Sequence, residues 1–413
     1  MNPNRIAKVQ IALLAIACCL MAYVSVASAQ KEITVYGNWA CDLIYRHNEI
    51  SCMHDGIDPF DIFERKTISE KYRGCPRPDK TEEPADNRRI VHTYPAWHAA
   101  VFWWYGYTSR WMCITIMICL NLFSLVGIWI WLSQKNVQPE IKERVTNILF
   151  LLTMFLYPLS GICWTWNYGL LLLGCLLLLW IMLDSHHDML AGIIYSFIMI
   201  KPQIGVLLIF PLLFNKKYKT IFLAAAICLA ETCFTAWMLR KSPFELILQI
   251  PKIGAPFYKG FLAEMAMKIL GSIGQYMVMG LFICLTACGS FLVRNAKKAW
   301  IHFLPASAFI PFWTYSQYYD CLVTLPCIIY ILKEKNKYPR ITSFCFLSSF
   351  LYSFINFANY QGWYCIGKKG IATILYFLIL SLACLMTVID HDENGVIHCL
   401  PSWLASFRKR KTT

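Results

Sequence analysis

With 413 residues, 58% of them apolar and only 15% charged, and with a mean hydropathy of +0.48, the chain carries too little charge and too much continuous apolar sequence for a soluble protein of its length. Its net charge of +14 lies in short loops between apolar runs, not in a basic stripe interleaved with aromatics, so a nucleic-acid partner is disfavoured. Runs such as residues 169–183 and 371–389 have, or nearly have, the length needed to cross about 30 Å of hydrocarbon, and the expected class is an all-α polytopic membrane protein.

In chain order, the start mimics a signal peptide: Arg5 and Lys8, then an apolar run, then Ala27–Ser28–Ala29 as a cleavage-like site. The run from Ile11 to Ala29 is long for a signal core, which favours an uncleaved first transmembrane helix. Either way the following residues cross the membrane. Residues 30–98 hold no spanning segment and form a large first extracytoplasmic loop within one integral membrane domain, 1–413. The loop's middle is rich in Pro and charge, and its end crowds Trp and Tyr at a density suited to the headgroup level.

Basic clusters then set the orientation: Lys135, Lys142 and Arg144; Lys216, Lys217 and Lys219; Arg294, Lys297 and Lys298; Lys333, Lys335, Lys337 and Arg340; and the tail SFRKRKTT. Placing all five in the cytoplasm predicts about twelve membrane segments with both termini inside. Two pairs would be short hairpins, residues 189–213 around Lys201 and 300–332 around Tyr315–Asp320. The turn at residues 184–188 has no Lys or Arg and is the weakest vote. On this topology residues 37–61, Lys201 and residues 313–320 share the non-cytoplasmic face.

Most of the nineteen cysteines lie in apolar runs, where Cys behaves as a small hydrophobe. Cys41, Cys52, Cys75, Cys163 and Cys365 fall in segments placed outside, where a disulfide can form, though the sequence does not give its pairing.

The stretch GNWACDLIYRHNEISCMHDGIDPFD, residues 37–61, puts five acidic residues and two histidines just after the first apolar segment. If residues 39–53 are helical, Asp42, Tyr45, Arg46 and Glu49 share a face, and Gly56 and Pro59 end that helix. A carboxylate so framed suits a general base. A solvated polar helix with an Asp42–Arg46 ion pair fits the same residues. Lys201 interrupts an apolar run, and an ionisable residue at membrane depth is a functional candidate by default; the alternative is a turn lysine snorkelling to the headgroups. His47, His54, His92 and His98 lack ligand spacing and suit structural roles. The acids of residues 55–61 do not follow calcium-loop spacing, and there is neither a DxD in residues 42–61 nor a Rossmann-like glycine motif, so no metal, no cofactor and no nucleotide-sugar donor is expected.

Trp39–x–x–Asp42–x–x–Tyr45 followed by Gly56–x–Asp58–Pro59–Phe60 resembles the first extracytoplasmic loop of the glycosyltransferase-C superfamily, and most closely glycosyltransferase family 87, the polyprenyl-phosphate-mannose-dependent mannosyltransferases. Phe60 stands where that family usually has Tyr. Residues 191–214 resemble its Lys-Pro hairpin, and residues 310–326 resemble its late loop more loosely. The resemblance implies a glycosyltransferase-C-like fold and transfer of a sugar from a lipid phosphate to an acceptor hydroxyl on the outer face. It implies Asp42 as catalytic base. Lys201 with Gln203 would then meet the donor phosphate, and Tyr45, Asp58, Tyr318 and Asp320 would bind substrate, with Tyr315, Gln317 and Tyr319 as further candidates in the late hairpin. An aromatic interface belt is the other reading of that hairpin. The implied partners are a polyprenyl-phosphate sugar donor, a glycolipid or glycan acceptor and the bilayer. Two rivals remain: transfer of another sugar such as arabinose, and a lipid or solute transporter. A transporter would need polar residues through the midplane, where the sequence offers mainly Glu231.

Overall fold

Inside a bilayer every backbone N–H and C=O must find its partner within the segment, so apolar runs of this kind fold as helices. The computed structural model describes residues 3–36, 41–56, 58–59, 94–135, 141–165, 167–254, 261–313, 318–360 and 368–391, and these are helix and turn with no strand among them. Residues 60–93, which make up about half of the long loop and include Cys75 and His92, lie outside that set. So do residues 314–317, Cys365 and the basic tail.

The helices are α1 (Pro3–Tyr36), α2 (Cys41–His54), α3 (Ala96–Val101), α4 (Arg110–Lys135), α5 (Ile141–Thr165), α6 (Gly169–Asp184), α7 (Asp188–Ile198), α8 (Pro202–Gly205), α9 (Ile209–Phe214), α10 (Tyr218–Leu239), α11 (Pro243–Gly254), α12 (Phe261–Leu270), α13 (Ser272–Leu292), α14 (Ala299–His302), α15 (Leu304–Trp313), α16 (Leu325–Lys333), α17 (Pro339–Tyr360) and α18 (Lys368–His391). Short 310 turns at Trp103–Tyr107, Val206–Leu208 and Tyr318–Thr324 join some of them.

Six described helical stretches are long and apolar enough to cross a membrane: Lys8–Ser28, Arg110–Ile128, Tyr218–Leu239, Ser272–Leu292, Pro339–Ala358 and Ala372–Asp390. The chain is thus a multi-pass helical membrane protein. Other apolar runs form shorter helices: α7, in the hairpin expected around Lys201, has 11 residues, is about 16 Å long and cannot alone cross about 30 Å.

Short and long helices divide the labour. α6 is apolar all round, and eleven of its residues are buried, as expected of a helix with no polar face placed at the centre of a bundle. α15 and α16 are almost wholly buried as well. The long helices α4, α10 and α13 enclose this centre and leave Phe123, Phe222, Leu229, Tyr276 and Leu281 exposed, a rim of apolar side chains that only lipid would cover favourably. Some hydroxyls within the spans are satisfied locally, as Thr232 donates to the Cys228 carbonyl, Ser353 to Ser349 and Thr387 to Ala383, whereas those of Ser25, Thr286, Ser290, Thr342 and Ser381 are buried without a hydrogen bond among the described residues.

Polar side chains collect at two ends of the bundle. The tracks of α17 and α18 measure the gap. Tyr376 of α18 meets Thr324 in the Tyr318–Thr324 turn, whereas Asp390, fourteen residues on, meets Tyr330, Lys337 and Tyr338. Fourteen helical residues rise about 21 Å. The first end holds α2, α3, Lys201 and Asp320. The second holds Asp390 together with the turns at Asp184–Asp188 and Lys216–Lys217, where Asp188 pairs with Lys217 at 2.8 Å and Asp184 accepts from the Ala299 N–H.

Candidate active site

The first end is built from four chain segments. α2 follows its expected pattern: Arg46 and Glu49, one turn apart, are both buried, and Arg46 donates to Glu49 Oε2 at 2.5 Å. Asp42, one turn earlier, also acts electrostatically on Arg46. Glu49 Oε1 is buried and makes no hydrogen bond among the described residues. Burial first, and the Asp42 carboxylate second, push the Glu49 carboxyl up to about 8 against the opposing pull of Arg46.

Over this pair lies an aromatic column. The Arg46 guanidinium sits 4.7 Å from the Tyr94 ring centre, and Tyr94 stacks on His98 at 4.5 Å. His98 is buried and shares a 3.1 Å hydrogen bond with the Tyr168 hydroxyl at the start of α6. His47 and His54 contact the backbone carbonyls of Thr108 and Trp103, each at 2.9 Å, so His47, His54 and His98 each have a structural partner.

Lys201 occupies the break between α7 and α8. It precedes Pro202, which biases it away from helix, and its φ of −108° and ψ of 89° leave the chain extended for one residue. The break is held from outside: the Trp97 indole donates to the Met199 carbonyl at 2.9 Å and the Trp313 indole to the Gln203 carbonyl at 2.7 Å. Tyr195 donates to the Gly205 carbonyl at 3.0 Å across the hairpin, and a Cβ at Gly205 would meet Met199 Sδ at 2.5 Å and Met199 Cα at 3.1 Å, so only glycine allows that approach. So positioned, the Lys201 ammonium, 2% exposed, donates to Asp320 Oδ1 at 2.7 Å. The two residues are 119 apart in sequence, and both were singled out from it. Asp42 and Tyr94 act electrostatically on Lys201 as well, so the carboxylate of α2 and the lysine of the broken hairpin belong to one cluster.

The remaining candidates fall around it. Gln203 is half-buried, and its carbonyl accepts from Trp313. Asp58 is buried in a separate pair, with Lys241 at 2.6 Å and Gln249 at 3.2 Å, tying the polar stretch to α11. Tyr318 opens the turn that carries Asp320, and Tyr45 lies on α2; the side chains of both, like residues 314–317, are outside the described set. Tyr94, Tyr168, Trp97 and Trp313 went unrecognised, and His98 is read from the sequence only as structural. Tyr94 precedes α3, and the surrounding Trp and Tyr read as an interface belt.

The family model of glycosyltransferase family 87 matches residues 92–245, the segment from α3 to the start of α11. It takes in His98, Lys201 and Gln203 and lies between Asp42 and Asp320. The resemblance read from the motifs is therefore found independently in this segment, and membrane-bound glycosyl transfer is the activity it supports. No curated protein and no solved structure matches the chain.

Proposed function

We propose that the protein transfers a sugar, mannose by its resemblance, from a polyprenyl-phosphate donor to an acceptor hydroxyl on the extracytoplasmic face, with inversion and without a metal ion. The observation that carries the reading is the buried Lys201–Asp320 pair lying within the field of Asp42, since three residues chosen for their chemistry converge from distant parts of the chain. In the reaction the acceptor oxygen bonds to the anomeric carbon while the bond to the phosphate oxygen breaks. The acceptor proton goes to Asp42, and the phosphate leaves with the bonding electrons. A lipid phosphate is already a good leaving group. The protein's task is to hold the acceptor within about 3–3.5 Å in line with it, take the proton late and stabilise the growing phosphate charge. Lys201 supplies a fixed positive charge for the last task, with Asp320 setting its position. Gln203, Tyr45, Asp58 and Tyr318 complete the proposed substrate contacts.

Incubation of purified protein with radiolabelled polyprenyl-phosphate mannose, polyprenyl-phosphate arabinose and membrane lipid extract tests this. Label should move from the mannosyl donor to a lipid or glycan product, and excess EDTA should leave the rate unchanged. Exclusive transfer of arabinose would replace the sugar, and no transfer from any lipid phosphate would overturn the reading.

A further inference from the structure

Most described tyrosines around the two polar ends spend their hydroxyls on the fold, and the Tyr105 hydroxyl is buried without a hydrogen bond among the described residues. Tyr168 meets His98, Tyr195 donates to the Gly205 carbonyl, Tyr330 and Tyr338 donate to Asp390, and Tyr376 meets Thr324. Tyr94 differs. Its ring is fixed between the Arg46 guanidinium on one face and His98 on the other, and Tyr168 meets it edge-on at 5.6 Å. Its hydroxyl makes no hydrogen bond among the described residues, and the residue is only half-buried. The charges acting on that hydroxyl are Lys201, Arg46, Asp42 and Asp320, the same groups that make up the candidate site. A rigidly held phenol whose donor is unengaged, placed among two cations and a candidate base, is arranged for something that arrives from outside.

We infer that the Tyr94 hydroxyl is a substrate contact, donating a hydrogen bond to a phosphate oxygen of the bound lipid phosphate. The inference rests on the donor being a lipid phosphate, as proposed above. Phosphate oxygens accept and do not donate when ionised, so the group that meets them must keep its proton. Burial raises the Tyr94 phenol above its ordinary value against the pull of Lys201 and Arg46, and it remains a donor at neutral pH. The column also removes the cost of ordering: the ring is already immobile between Arg46 and His98, so no rotamer freedom is lost when the ligand binds.

The test measures binding of farnesyl phosphate and of farnesol to the full-length protein in nanodiscs, for the wild type and for Tyr94→Phe. Phenylalanine keeps the ring, and with it the stack, and deletes only the hydroxyl. The dissociation constant for farnesyl phosphate should rise about tenfold or more, as for a lost hydrogen bond to a charged group. Farnesol binding and the melting temperature should not move. Equal weakening of both probes, or no weakening of either, overturns the assignment of Tyr94 and leaves the proposed function standing. A wild-type protein that does not prefer farnesyl phosphate to farnesol overturns both.

Discussion

Two polar clusters, at opposite ends of one bundle, use the same three residue types and arrive at different states. Around Asp390 both carboxylate oxygens are taken: Oδ2 accepts from Tyr330 at 2.6 Å, and Oδ1 accepts from Tyr338 at 2.5 Å and from Lys337. Lys337, 38% exposed, keeps contact with water, and its neighbours Tyr330 and Tyr338 come from the same short stretch of chain. Around Lys201 the lysine is 2% exposed, its partner is 119 residues away, a second carboxylate shares the field, and a tyrosine hydroxyl stays unengaged. A cluster that closes its own hydrogen bonds locks helices together. One that gathers buried charge from four segments and keeps a donor available carries a cost that folding alone does not require.

The sharpest break of this comparison is Asp42→Asn against Asp390→Asn. The first should lower sugar transfer by about two to four orders of magnitude with expression intact, because the amide cannot take a proton. The second should lower the melting temperature by the loss of about 1–3 kcal/mol while turnover stays near wild type. Radiolabel transfer and thermal unfolding on the same preparations decide it. If Asp390→Asn is the inactive one, the two ends have been assigned the wrong way round.

Next in size is Lys201→Met. It leaves a buried carboxylate without its cation, which should cost about 3–5 kcal/mol of stability. The double variant Lys201→Met/Asp320→Leu replaces the pair by apolar groups and should recover most of that loss yet remain inactive. Recovery of transfer in the double variant would reduce the pair to a structural element like Asp390–Lys337.

A smaller effect concerns pH. In the folded protein Glu49 keeps its proton up to about pH 8, whereas its ordinary value is 4.5. Between these values the folded state binds one proton more than the unfolded, so its stabilising contribution is complete below about pH 4.5 and is lost as the pH rises towards 8. Glu49→Gln should therefore flatten the fall of the melting temperature between pH 5 and 8. An unchanged slope would mean that Arg46 keeps Glu49 ionised throughout. The smallest change expected is at the helix ends. Arg240 closes α10 with a φ of 53°, and His186 follows α6 with a φ of 59°, both left-handed positions that suit glycine. Arg240→Gly and His186→Gly should each stabilise by about 1 kcal/mol with turnover unaltered.

The candidates legible in the sequence share one property: they are polar residues in an apolar background. Lys201 and Asp320 stand out for that reason, and the one-face reading of α2 follows from helical spacing. What joins them was hidden. The Lys201–Asp320 and Asp58–Lys241 pairs span 119 and 183 residues, and no local pattern encodes a partner at such range. Tyr94 was masked by its neighbours, since Trp and Tyr at a membrane surface also serve as anchors without chemistry. Hydropathy alone does not separate the six described spans from α15 and α16, which are as apolar but almost wholly buried in protein.

The distance between Lys201 and Asp320 along the chain also sets a schedule for biosynthesis. At about 5–20 residues per second, the 119 residues that separate them take about 6–24 s to be made. Throughout that interval the lysine enters the bilayer region before its counter-ion exists, so the α7–α8 hairpin must wait at the insertion machinery or at the headgroups and settle only when Asp320 emerges. Ribosome-stalled chains that keep Lys201, carry Gln203→Cys in a background without native cysteines and stop short of residue 320 should react with a water-soluble maleimide, and chains that extend through α16 should not. Equal protection of position 203 at both lengths would mean that the hairpin seats itself without the aspartate.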